Sequence, residues 1–171
     1  PADVVSTVRD AAGPRRRPPA TARRPTSGSP RRTCGPPTAP YLYSLRSEVV
    51  LNQRVVDSYE TTFGVRQLDF DADNGFFLNG THLKLHGVCL HNDQGALGSV
   101  NNYDALWRQM STLKRGGLNA FRTSHNPPSP EMLDVCQRLG IVMMVEAFDC
   151  WHVGKLAYDY HLYFDEWSDS D

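Results

Sequence analysis

Long apolar runs are missing from this chain of 171 residues: no stretch of 18 apolar residues occurs, so no segment is built to cross a bilayer as a helix. No basic-then-apolar leader opens it either, so a secretory signal of any parent is expected outside this stretch. Cysteine is scarce. The four, Cys34, Cys89, Cys136 and Cys150, have neither Cys-x-x-Cys spacing nor the density of a disulfide scaffold. Cys89 and Cys136 fall in apolar patterns and are expected to be buried thiols. Net charge is almost absent: a formal −1 and a pI near 6.7 exert no global pull toward nucleic acid or membrane, and neither is expected as a partner. An initiating Met is lacking too. The length falls short of a complete (β/α)8 barrel, which takes about 250 residues, so the chain is expected to be a piece of something longer.

What charge there is lies unevenly. Residues 1–40 hold 8 of the 18 basic groups, 2 of the 19 acidic ones and 9 of the 12 prolines. After Val8 they have almost no large apolar side chain, so they cannot bury enough surface to offset chain entropy and are expected to be disordered. Arg15-Arg16-Arg17, Arg23-Arg24 and Arg31-Arg32 lack the interleaved aromatics of a nucleic-acid surface.

From Tyr41 the pattern becomes regular. Residues 41–51 and 55–65 are rich in β-branched and aromatic side chains and predict two strands. Phe76-Phe77-Leu78 and His82-Leu83-Lys84-Leu85 flank Asn79-Gly80, a strong two-residue hairpin signal. Strand and helix patterns then alternate: a strand over 85–90, a helix over 103–115, a strand over 118–122, a helix over 130–139 and a strand over 141–145. Leu106, Met110 and Leu113 recur at helical spacing, as do Met132, Cys136 and Leu139, so each helix has one face to lay on a sheet. Ser129 and Pro130 suit the N-cap and first turn of the second helix, and Gly116-Gly117 and Gly140 suit left-handed caps. The run 141–145 predicts a strand buried on both faces. This order gives an α/β fold with a parallel sheet.

In such a fold polar groups just beyond the strands carry the chemistry. Three places qualify: His91 to Asp93, Arg122 to Asn126, and Glu146 to His152. They would bring histidines, an arginine and carboxylates to one rim, which suits a multiply hydroxylated substrate. A metal-dependent barrel hydrolase using His91, Asp93, His125 and His152 also fits the spacing, but no His-x-His pair supports it.

The run Asn119-Ala120-Phe121-Arg122-Thr123-Ser124-His125-Asn126-Pro127 resembles glycoside hydrolase family 2, the β-galactosidases, β-glucuronidases and β-mannosidases. Its Asn-x-x-Arg-x-Ser-His-x-Pro pattern stands here in full. Gly87-Val88-Cys89-Leu90-His91 resembles the family's first barrel strand, and Gly140-Ile141-Val142-Met143-Met144-Val145-Glu146-Ala147-Phe148-Asp149 its third. With Phe77-Leu78-Asn79-Gly80, the likeness runs from about residue 40 to 171.

The resemblance implies the first three strands and two helices of a TIM barrel over 71–171, preceded by C-terminal strands of an immunoglobulin-like sandwich over 41–70. It makes His91 and His125 the holders of sugar hydroxyls, Arg122 the support of a nucleophilic carboxylate, and Glu146 a hydrogen-bonding or substrate contact. Both catalytic glutamates are expected after the fourth and seventh strands, beyond Asp171, so no catalytic residue is assigned and the chain alone is expected to be inactive. A β-galactoside is the expected substrate, on Leu90-His91-Asn92-Asp93 and Gly95-Ala96-Leu97-Gly98, with a β-glucuronide or β-mannoside as alternatives. In β-galactosidases a glutamate and a histidine two residues on bind magnesium. The histidine stands here as His152, a metal-ligand candidate in a longer parent, while Cys150 replaces the glutamate and a thiol is a poor ligand for a hard cation. Gln137 and Val145 likewise stand where aspartates are usual. A homo-oligomeric parent is compatible with the family.

The family's sandwich closes on a Trp-Ser-Pro-x-x-Pro-Tyr-Leu-Tyr pattern, of which Ala39-Pro40-Tyr41-Leu42-Tyr43 keeps the end. Thr33 to Thr38 can be encoded by ACG TGT GGT CCC CCG ACG, and a two-base shift of those codons reads Val-Trp-Ser-Pro-Asp. Residues from about 14 to 38 are therefore expected to be a frameshifted strand pair, while Val4 to Gly13 still resembles the family's strand and turn. A non-functional gene fragment is a further reading.

Overall fold

The computed structural model describes residues 3–10, 13–16, 34–151 and 153–164. Compactness divides the chain into two units, Pro1–Lys84 and Leu85–Asp171. The break falls after the hairpin around Asn79-Gly80.

The first unit is antiparallel. β1 (Asp3–Asp10), β2 (Gly13–Arg16), β3 (Leu42–Leu51) and β4 (Arg54–Gly64) form one sheet in the order β2-β1-β3-β4. Tyr43 lies opposite Phe63, and their rings stack with centroids 5.5 Å apart, a cross-strand pair of the kind that stabilises a sheet locally. β5 (Leu68–Asp71), β6 (Gly75–Leu78) and β7 (Thr81–His82) make a second sheet. Leu78 pairs with Thr81 across Asn79 and Gly80, whose φ of 54° and 76° make the expected two-residue turn.

The expectation of disorder through residues 1–40 is corrected at two places, the first of which agrees with the strand and turn that Val4 to Gly13 resembles. Asp3–Asp10 pairs with β3 from Asp3↔Val50 to Arg9↔Ser44, and Gly13–Arg16 pairs back onto it. Backbone pairing against a long strand needs little apolar side chain, and composition averaged over forty residues hides one strand. Residues 17–33, where most of the expected disorder and frameshift falls, lie outside the described residues.

The second unit alternates. β8 (Gly87–Leu90), α1 (Tyr103–Arg115), β9 (Ala120–Thr123), α2 (Pro130–Leu139) and β10 (Val142–Met144) build a parallel sheet in the order β10-β9-β8. A Cβ at Gly87 would sit 2.6 Å from the Ala120 carbonyl oxygen, so only glycine permits this approach of β8 to β9. The core joins Leu106 and Met110 of α1 to Val135 and Cys136 of α2, with Phe121 and Ile141 beneath. Asn102 caps α1 by accepting from Ala105 N at 3.1 Å, and Ser129 caps α2 by accepting from Met132 N at 3.2 Å. Asp134 links the helices: it accepts from the Tyr103 hydroxyl at 3.1 Å, from Gln137 at 2.7 Å and from Arg138 at 2.6 Å.

Three expectations change here. Cys89 is exposed, because β8 is an edge strand among the described residues and nothing described covers that face; Cys136 is buried as expected. The run after Ile141 is not buried on both faces: Met144 is 60% and Val145 54% exposed, since β10 forms the other edge. Gly140 is left-handed at φ 68°, but after α1 it is Gly117, at φ 95°, that takes this conformation while Gly116 stays helical.

Candidate active site

Because β8, β9 and β10 run parallel, their carboxyl ends share one edge, and the polar residues that follow each strand gather there. His91 comes directly after β8, Arg122 lies near the end of β9 with His125 just beyond, and Glu146 and Asp149 follow β10. Two hydrogen bonds hold these strand ends in register. Ser124 N donates to the Leu90 carbonyl at 2.9 Å, and Glu146 N donates to the buried Thr123 hydroxyl at 2.8 Å. The Ser124–His125 peptide is cis.

Glu146 is the hub. Its Oε1 lies 2.7 Å from Arg122 Nε, an ion pair whose angle falls short of a regular hydrogen bond. Its Oε2 lies 2.6 Å from His125 Nδ1. A carboxylate can only accept, so Nδ1 carries the proton and Nε2 is the nitrogen left for another partner. The rings of His91 and His125 meet edge to face, 5.6 Å apart at 84°. The four residues the sequence nominated, His91, Arg122, His125 and Glu146, are thus in one cluster. Ser124 Oγ is buried with no hydrogen-bond partner among the described residues.

The loop beyond β10 adds residues whose roles spacing did not single out. Asp149 Oδ1 stands 3.6 Å from His125 Nδ1 and accepts from Lys155 Nζ at 2.6 Å. The Lys155 ammonium holds the Asp149 carboxyl below the usual range, and Asp149 in turn raises Lys155. Asp159 ties the loop together by accepting from Lys155 N at 2.6 Å, Leu156 N at 2.7 Å and His161 N at 3.1 Å, and by pairing with the His161 ring. The His161 contact, then the Leu156 amide, keep its carboxyl well below the usual range. Phe148, Trp151 and Phe164 pack ring to ring, with Trp151 and Phe164 stacked at 4.3 Å. Lys155 and Asp159 had no signal in sequence, because the contact of each depends on how an irregular loop turns back.

The residues present do not fit the family's magnesium site. Burial, then the neighbouring Asp159 carboxylate, pushes the Cys150 thiol up, so it keeps its proton. His152 lies outside the described residues. Among the described residues no three His, Cys, Asp or Glu side chains converge to hold a metal.

A family model described as "Glycosyl hydrolases family 2, TIM barrel domain" matches residues 72–161. The chain belongs to glycoside hydrolase family 2. It is 48% identical over 132 residues to the β-galactosidase BoGH2A of Bacteroides ovatus, covering 77% of this chain and 16% of that protein. It is 34% identical over 107 residues to a β-glucuronidase of Bacteroides fragilis, covering 63% and 15% respectively. A crystal structure of a glycosyl hydrolase family 2 member from Bacteroides cellulosilyticus superposes with a TM-score of 0.79 at 33% identity, covering 99% of this chain and 23% of the other. The chain therefore spans about a sixth of the curated relatives' length and under a quarter of that solved structure. These likenesses support the α/β barrel reading of the second unit.

Proposed function

We propose that this family 2 chain carries the sugar-binding half of a retaining β-galactosidase site. The observation that carries the reading is the chain of contacts from Arg122 through Glu146 to His125, with His91 against the histidine ring, at the carboxyl ends of three parallel strands. Glu146 fixes the tautomer of His125, so Nε2 can accept from, or when protonated donate to, a sugar hydroxyl. Arg122 keeps a positive charge beside the carboxylate and supports whatever anion reacts next to it.

A neutral sugar is favoured over a uronate. Both cations in the cluster are already matched, Arg122 by Glu146 and Lys155 by Asp149, whereas a carboxylated sugar calls for a cation of its own. The higher identity to a β-galactosidase than to a β-glucuronidase points the same way.

Retention needs two carboxyl groups about 5–5.5 Å apart, one as nucleophile and one as proton donor. Both are proposed downstream of Asp171, so the 171-residue chain binds and orients but does not cleave. The four-stranded sheet of the first unit is proposed to be the end of the immunoglobulin-like sandwich.

The test has two arms. The purified chain should not turn over a nitrophenyl β-galactoside, and turnover abolished by Glu146→Gln or Asp149→Asn would overturn the assignment. Joined to downstream barrel strands that supply two glutamates, the segment should favour the β-galactoside over the β-glucuronide, and the reverse preference would sink the galactoside reading.

A further inference from the structure

Two carboxylates face the same nitrogen of His125, but only one bonds to it. Glu146 Oε2 is 2.6 Å from Nδ1 and Asp149 Oδ1 is 3.6 Å away. The oxygen that falls short is the one Lys155 grips at 2.6 Å. Lys155 is thus the group that draws Asp149 away from the imidazole. Its reach is set by Asp159, which accepts the backbone N–H groups of both Lys155 and Leu156.

From this geometry we propose that Lys155 is a positioning residue, restraining Asp149 so that Glu146 alone orients His125. The physical case rests on competition. An N–H has one strong direction, and a rotation of the Asp149 side chain covers the roughly 0.7 Å that separates 3.6 Å from ordinary hydrogen-bond range. Freed of its ammonium partner, Asp149 would seek another donor, and the nearest one in this cluster is His125 Nδ1–H. Taking it would turn the ring off Glu146 and off its edge-to-face contact with His91 at 5.6 Å. The hydroxyl-facing Nε2 would then point elsewhere. This assignment rests on His125 being the sugar-facing histidine proposed above, but the contacts it concerns exist without sugar.

The experiment uses the full chain and nuclear magnetic resonance of its imidazole groups, with His125 signals identified by their loss in His125→Ala. In the starting protein, the Nδ1–H of His125 should resonate far downfield and the His91 and His125 rings should show a mutual Overhauser effect. Lys155→Met should shift the first and abolish the second. Lys155→Arg, which keeps the cation, should resemble the starting protein, as should Asp149→Asn, because Glu146 remains the acceptor. The decisive variant is Asp149→Asn combined with Lys155→Met, which should restore both signals because no carboxylate then competes. Unchanged signals in Lys155→Met would overturn the proposal. A double variant as perturbed as the single one would do so as well, by showing that Lys155 merely supports the loop. Because the readout is the imidazole, a failure of the galactoside reading would leave the result interpretable.

Discussion

His125 shows how one side chain gains a defined role from its neighbours. On its own an imidazole offers two interchangeable nitrogens; beside Glu146 the proton is assigned to Nδ1. In a full-length family 2 barrel carrying this segment, His125→Ala should lower kcat/KM toward a β-galactoside by about 10²-fold or more, because contacts to ring hydroxyls tighten as the sugar approaches the oxocarbenium-like state. Steady-state kinetics beside a thermal melt decides the matter: a lower Tm with unchanged kinetics would make His125 structural. Cys136 illustrates the opposite case, in which burial alone pushes the thiol up to about 12 and leaves it a packing group. The cluster's four nominated residues were legible because each stands at a strand end in the motif. Lys155 and Asp159 were not, since no periodicity relates an irregular loop to the histidine it serves.

At the scale of elements, α1 and α2 fall where their apolar spacing, caps and glycines place them. What spacing did not disclose is how the helices are joined. Asp134 accepts from Tyr103 of α1 and from Arg138 and Gln137 of its own helix, and Arg138 first of all holds its carboxyl below the ordinary value of 3.8. A depressed carboxylate contributes stability that is present above its unfolded pKa and disappears as pH falls through the folded one. The urea midpoint should therefore drop when pH is lowered from roughly 5 to roughly 3, and Asp134→Asn should flatten that drop. Equal acid sensitivity in the variant would place the lost protonation elsewhere. Gln137 donates to Asp134 at 2.7 Å; an aspartate in its place would repel Asp134.

At the scale of the molecule, the largest fully buried side chains among the described residues, Leu106, Met110 and Val135, all belong to the second unit. A core carried by so few residues tolerates little loss. Leu106→Ala should cost about 2–5 kcal/mol, a large share of the roughly 5–15 kcal/mol typical of a folded domain, and urea unfolding followed by helical circular dichroism would show it. A change within 0.5 kcal/mol would mean that the core around α1 repacks or is not what holds this unit together. Edge exposure belongs to the same scale. Met144, at the end of β10, and Val145 just beyond it are exposed apolar residues, and among the described residues β10 pairs only with β9.

By itself the sequence determined the local elements of the second unit, the strands β3 and β4 and the hairpin at Asn79-Gly80, and the chemistry offered at three strand ends, because hydrophobic period, caps and turn residues act over a few positions and need no distant partner. It also determined the family, through a motif that keeps its residues in register. Only the tertiary structure decided that Asp3–Asp10 and Gly13–Arg16 pair into a sheet, that Cys89 is exposed while Cys136 is sealed, and that Lys155 and Asp159 serve the site. Each of these depends on which segments meet across long stretches of chain. Burial and charge pairing are properties of that meeting, so no window of sequence contains them.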